Sequence, residues 1–355
     1  MKKTQVALAA LALVASTAAL ADDVTISGNL DFAYQSSNHA YDVTNNGTSG
    51  SVNRLATANM SPNFIIVSAN EDLGGGSKIN FTAQNLIDRS AFNPLGLKLT
   101  LSGGFGDVTI GNWLDPMFLV LAPHSASTDG GSNIGGFVTP FFASNISGIW
   151  VKNQVAYTTP DFGGLKATAF YRAGGVAGDS GSNSASGITG SFGAGAFGLG
   201  AGYSSVKGNG SATEAVDSTV IGTSYDLGSL KIGGMYMHAK DNFADMTKNT
   251  WGVNFSVPVD AWSFGMGYYT TKVANSDAKG QDFIVHAKYA LSKRTSLFAN
   301  VENVKNTTSA VYTTNAGYTD CGTNVGSCDN THPGFYDGAN IGSTTVTTVG
   351  IRHSF

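Results

Sequence analysis

From Val24 onward, apolar and polar residues alternate. Val24, Ile26, Leu30, Phe32 and Tyr34 are interleaved with Thr25, Ser27, Asn29 and Asp31. Ile79, Phe81 and Ala83 alternate with Lys78, Asn80, Thr82 and Gln84, and Leu95, Leu97, Leu99 and Leu101 with Gly96, Lys98, Thr100 and Ser102. Leu165, Ala167, Ala169 and Tyr171 alternate with Lys166, Thr168 and Arg172, and only Phe170 breaks the polar side. The pattern returns at Trp251, Val253, Phe255 and Val257, at Trp262, Phe264, Met266 and Tyr268, and at Phe283, Val285, Tyr289 and Leu291. It returns last at Val349, Ile351 and Phe355, with Arg352 on the other side. A period of two predicts strands with one apolar and one polar face.

Short connections are expected at 73–76, 103–107, 160–164, 194–197, 226–229, 258–260 and 291–294. Longer polar stretches lie between them, at 37–51, 85–92, 113–148, 176–185, 207–216, 240–248, 272–281 and 305–340. Seven turns and eight loops join sixteen antiparallel strands, so the expectation is an all-β, sixteen-stranded transmembrane barrel in one domain over 22–355. The length fits: about 21 residues per strand and connection leaves room for the 9–11 that a tilted spanning strand needs.

Residues 1–21 stand apart. Lys2 and Lys3 precede an apolar stretch from Val6 to Ala15, and Ala19-Leu20-Ala21 offers a small-x-small cleavage site, the signature of an export signal. Removing it leaves 18 basic against 24 acidic residues, a net of −6. Beyond residue 21 no apolar run reaches the ~20 residues of a spanning helix. Charged residues make up 12% of the chain, about half the average for soluble domains. Soluble propellers and tandem sandwiches keep charge on their exposed faces, whereas the apolar faces here are nearly free of it. A closed barrel is the other structure that satisfies its backbone inside lipid. The acidic balance argues against a nucleic-acid partner.

Several motifs carry no chemistry in this context. Gly193-Ala194-Gly195-Ala196-Phe197-Gly198 matches the dinucleotide fingerprint, but no helical period follows, so it is expected to be a strand–turn–strand. Gly74-Gly75-Gly76-Ser77-Lys78 lacks phosphate-loop spacing. Cys321 and Cys328 lack zinc-ligand spacing and, in an exported chain, are expected to form a disulfide. The six histidines are scattered, no cofactor is called for, and an outer-membrane hydrolase barrel would need fewer strands. The segment 113–148 is different. It carries Asp115, His124 and Asp129 among Gly and Ser, and its apolar patches favour packing inside the barrel over floating in water.

These residues resemble the Gram-negative general porins of beta-proteobacterial type. The resemblance rests on Glu71 to Lys78, Ser102 to Gly111, Asn153 to Gly164, Tyr289 to Thr295 and Val349 to Phe355, in that order along the whole mature chain. It implies a homotrimeric outer-membrane channel in a Gram-negative bacterium, a third loop folded into the lumen, and a terminal aromatic, Phe355, read by the outer-membrane insertion machinery. Places where that family usually carries arginines read Phe64, Ser68, Asn112 and Trp150, so its basic cluster looks dismantled.

Strand parity then assigns the lumen wall. With the apolar series toward lipid, Lys78, Lys98, Lys152, Lys166, Arg172, Lys231, Lys288 and Arg352 point inward, against few strand acids, chiefly Asp31 and Glu302. Most carboxylates, such as Asp42, Asp179, Asp241 and Asp329, fall in loops. The expected function is passive diffusion of small hydrophilic solutes and ions with a mild anion preference, opposed by Asp115 and Asp129. The alternative is a non-conducting adhesin or structural barrel.

Overall fold

The computed structural model describes residues 23–42, 48–57, 60, 62–87, 92–125, 138–144, 148–208, 215–308, 314–315, 336–337 and 342–355. The expected export signal, Asp129, Cys321 and Cys328 lie outside these residues.

The described residues are almost entirely strand. In order these are β1 (Asp23–Asp42), β2 (Thr48–Thr57), β3 (Phe64–Gly74), β4 (Ser77–Ile87), β5 (Phe92–Gly103) and β6 (Gly106–Leu114). Two short helices follow, α1 (Pro116–Leu121) and α2 (Val138–Ala143), with a single 3-10 turn over Ala122–His124. Then come β7 (Trp150–Thr158), β8 (Leu165–Arg172), β9 (Ala185–Ala194), β10 (Phe197–Lys207), β11 (Ala215–Asp226) and β12 (Lys231–Asp241). The wall continues with β13 (Met246–Val259), β14 (Trp262–Val273), β15 (Lys279–Ala290) and β16 (Thr295–Asn306). Two-residue strands β17 (Thr314–Asn315) and β18 (Tyr336–Asp337) pair with each other, and β19 (Gly342–Ser354) ends the series.

Each wall strand pairs antiparallel with its neighbour, and β19 pairs with both β16 and β1, so the sheet closes. Its 17 strands fill sixteen wall positions, because β2 pairs with the distal half of β1 while β3 pairs with its first seven residues. Closure removes the free edges that lipid would leave unsatisfied. The connection expected over 37–51 is mostly hairpin: β1 continues to Asp42 and β2 begins at Thr48.

Alternation sorts the two faces. Ile26, Phe32, Leu97, Leu99, Val253, Trp262 and Ile351 are exposed on the outside, whereas Asp31, Gln35, Asn254, Asn300 and Thr348 are buried on the inside. An apolar outer belt and a polar lumen are what lipid outside and water inside select.

Among the cations assigned to the lumen, parity fails for one, on β7. Between β6 and β7 the register slips: Gly111 faces Gln154, but Trp113 faces Val151. The extra residue lies at Asn153, which has φ +55°, and Asn153 N–H donates to Asn112 Oδ1 at 2.9 Å. This β-bulge turns Val151 inward, where it is buried, and leaves Lys152 exposed on the outer side. The expectation that Lys152 lines the lumen is therefore corrected.

Candidate functional site: the narrowed lumen

The longest described excursion from the wall begins at Asp115. Asp115 N–H donates to the Ile149 carbonyl at 2.8 Å, tying the two ends of the excursion together. Its carboxylate caps α1 by accepting from Met117 N–H at 2.7 Å, with Pro116 in the first helical turn, where a missing N–H is harmless. Helix α1 buries Met117, Phe118, Val120 and Leu121. They share one cluster with Val138 and Phe141 of α2, Phe170 of β8, Val220 of β11, Met235 and Met237 of β12, and Tyr269 of β14. The strand residues stand on the inner face, so α1 and α2 lie inside the barrel. Phe118 and Phe141 pack edge to face at 5.6 Å. Phe170, the apolar intruder on a polar face, is one of the anchors.

A second device seats the loop. Gly198, Gly200 and Gly202 on β10, Gly222 on β11 and Gly233 on β12 form a groove without side chains. A Cβ on Gly202 would lie 2.8 Å from Met117 Sδ, and one on Gly222 would lie 2.6 Å from His124 Cδ2. A Cβ on Gly200 or Gly233 would run into the carbonyl oxygens of Val120 and His124. Of these five, the sequence reading names only Gly198, at the end of the expected strand–turn–strand over 193–198. Their recurrence at every second position of β10 was the available signal.

Polar contacts lock the same segment. Lys231 Nζ donates to the Pro123 carbonyl at 3.0 Å, and His124 Nδ1 is 3.0 Å from Ser224 Oγ. Burial, and then the Lys231 ammonium, hold the His124 imidazole below its ordinary range. Arg172 Nη1 lies 3.3 Å from Asp115 Oδ2, with both side chains largely buried. The pair binds the loop to the wall, and each residue neutralises the other's charge.

The space left between α1 and the wall of β5 to β11 is a cavity of about 480 Å³. Its loop side presents Pro116, Leu119 and Pro123; its wall side presents Lys98, Thr109, Thr158, Thr168 and Thr189. Thr100 and Thr109 are hydrogen-bonded at 3.0 Å, and Thr158 and Thr168 at 2.8 Å. Lys98 Nζ sits 4.7 Å from the centre of the Trp113 ring.

The remaining named cations are spread along the wall. Lys78 is on the inner side at the start of β4, Lys166 is 3.8 Å from Asp161 near the start of β8, and Lys288 lies near the end of β15. Arg352 stands opposite Asp31 in the β1–β19 register. Phe355 follows β19 and is exposed.

A closed barrel with an apolar outer belt and a polar lumen narrowed by an infolded loop is an outer-membrane diffusion channel. The chain belongs to the Gram-negative porin family, whose sequence model matches residues 7–309. It is 31% identical over 343 residues to outer membrane porin protein 32 of Delftia acidovorans, covering 86% of this chain and 90% of that protein. Among solved structures, the anion-selective porin from Comamonas acidovorans has a TM-score of 0.79 at 25% identity, over 94% of this chain and 99% of that one. The trimer form of OmpT from Vibrio cholerae has a TM-score of 0.68 at 14% identity, with 94% and 99% covered, and shares the fold alone. The protein is thus a porin of the outer membrane and forms a channel for small solutes.

Proposed function

We propose that this porin favours anions, that Lys98 is the main basic residue of its narrow zone, and that it works as a homotrimer. The observation that carries the first point is the position of Lys98, whose ammonium stands over Trp113 on the wall of the open cavity. With Asp115 spent on Arg172, the acid of α1's N-cap no longer opposes the wall lysines. A similar solved porin is described as anion-selective, which supports the same preference here. Lys78, Lys231, Lys288 and Arg352 add positive charge above and below, so an entering anion meets a lowered barrier.

The outer face supports assembly. Apart from Tyr34, the exposed Tyr and Trp residues among those described stand on β7 to β14, while β3 to β6, β16 and β19 present mainly aliphatic side chains. Lipid interfaces select amphipathic aromatics, whereas a protein neighbour does not require them. Phe355 serves in this proposal as the residue read by the insertion machinery. Planar-bilayer recording tests the channel and its preference together. Stepwise conductance with a reversal potential of anionic sign across a KCl gradient is expected; a cationic sign would overturn the preference.

A further inference from the structure

The break between β2 and β3 is built. Pro62 has no N–H to offer a ladder, and the chain there turns inward rather than continuing the wall. Asp31, fully buried on the inner side of β1, pins it: Met60 N–H donates to Asp31 Oδ2 at 2.9 Å, and Asp31 N–H donates to Asn63 Oδ1 at 2.7 Å. Asn63 thus supplies through its side chain the acceptor that the interrupted strand cannot. Asn29 Nδ2 adds a bond to the Pro62 carbonyl at 3.0 Å.

The fold delivers Met60 onto the inner wall. Met60 packs in a cluster of its own with Ala33 of β1, Ile284 of β15 and Phe298 of β16. Gly350 makes room on the strand between, since a Cβ there would lie 2.7 Å from that of Ala33 and collide with the Phe298 ring. Ile284 is 1% exposed and Phe298 5%, although both face the lumen. On the arc from β5 to β8 the inward Thr100, Thr109, Thr158 and Thr168 remain half-exposed. Helix α1 lies over β9 to β11 and α2 against β14, so the Met60 cluster covers an arc that the loop does not.

We propose that Met60 and Asn63, pinned by Asp31, form a second constriction element, which closes the lumen over β15, β16 and β1 and confines solutes to the threonine- and lysine-lined arc of β5 to β8. This rests on the channel reading. Solutes then pass between two inward folds rather than between one loop and a bare wall. Asp31 and Asn63 are positioning residues for this element, and Met60 is the residue that covers.

Thiol accessibility in single channels tests it. Phe298 and Thr168 each lie three residues into their strands from the periplasmic end, so depth is matched. Phe298→Cys and Thr168→Cys are recorded in planar bilayers while a charged methanethiosulfonate is added, with the unsubstituted protein treated in parallel. Thr168→Cys is expected to lose conductance promptly. Phe298→Cys is expected to react about tenfold more slowly, since the covering segment must open first. Adding Met60→Gly to Phe298→Cys is expected to restore fast modification. Equal rates at the two positions, or no acceleration by Met60→Gly, would overturn the second element while leaving the channel intact. Absence of any conductance in the unsubstituted protein would instead count against the channel reading.

Discussion

Phe355 and Gly28 exchange both of their main-chain hydrogen bonds, each at 3.0 Å, one residue beyond the last strand pair of the β1–β19 seam. A Cβ on Gly28 would sit 2.7 Å from Phe355 Cζ and run into the Phe64 carbonyl oxygen. The seam therefore needs a residue without a side chain at 28. Gly28→Val is expected to destabilise closure by about 1–3 kcal/mol through overpacking, and to lower the fraction migrating as folded barrel on an unheated gel. Gly190→Val, at an open outer position where a Cβ meets nothing closer than 3.9 Å, is the control and is expected to migrate normally. Equal migration of the two variants would show that the seam tolerates the side chain.

The Asp115–Arg172 pair makes a separable prediction. Asp115→Asn keeps an oxygen for the Met117 cap but leaves the Arg172 guanidinium without its carboxylate. Breaking one side of a buried pair costs about 3 kcal/mol, at the low end here because Arg172 retains some exposure. The barrel ladder is untouched, so the effect is expected in the loop: chymotrypsin cuts near Phe118 faster while the folded barrel persists. Adding Arg172→Met is expected to recover most of the resistance. Wild-type resistance in the single variant would show that the apolar seat alone holds the loop.

The wall was legible because its two faces meet different solvents, so each strand repeats the same two-residue code. Phe170 shows how far the code reaches: it marked an exception, and the exception is an anchor for α1. Lys152 shows where it stops. One bulge at Asn153 inverts parity, and no alternation within β7 announces it. Pro62, which the sequence reading passed over, forbids a central strand, but the inward path depends on Asp31 and Asn63 meeting across 32 positions of sequence. The glycines of β10 recur at every second position, but what they make room for appears only against Met117, Val120 and His124.

Acid is expected to loosen the loop. The His124 imidazole is held below its ordinary value by burial and then by Lys231; it faces Ser224 and glycines of β10 to β12. The neutral form is the seated form. Its contribution is complete above the unfolded value of about 6.5 and is lost as pH falls through the lowered folded one. Open-channel current noise is expected to rise as pH falls below about 6.5. His124→Gln, which can still bond Ser224 but cannot charge, is expected to flatten that dependence. Undiminished noise at low pH in the Gln variant would assign the effect elsewhere.

The outer face predicts where copies meet. Ala83 points outward on β4, in the aliphatic sector, and Ala169 points outward on β8, among the tyrosines. Lipid accommodates a tryptophan at either place, whereas a packed protein interface rejects added volume. Ala83→Trp is expected to shift detergent-resistant trimer to monomer, and Ala169→Trp to leave it unchanged. The reverse result would place the interface on the aromatic sector.

Charge selectivity depends on which wall cations remain uncompensated. Arg172 is matched by Asp115 at 3.3 Å, and Lys166 has Asp161 at 3.8 Å, although half-exposed side chains there leave water to screen the pair. Lys231 directs its side chain to the Pro123 carbonyl. Lys98 stands over an aromatic ring on the open cavity, with Asp107 farther down the same hairpin as its acid neighbour. Lys98→Gln is therefore expected to remove more of the anion preference than Lys166→Gln, read as reversal potential across a KCl gradient. Because fixed charges are screened within about 8 Å at physiological ionic strength, the gap between the two variants is expected to widen as salt is lowered. A larger shift from Lys166→Gln, or none from Lys98→Gln at low salt, would show that the field of the narrow zone is set outside the β5 wall.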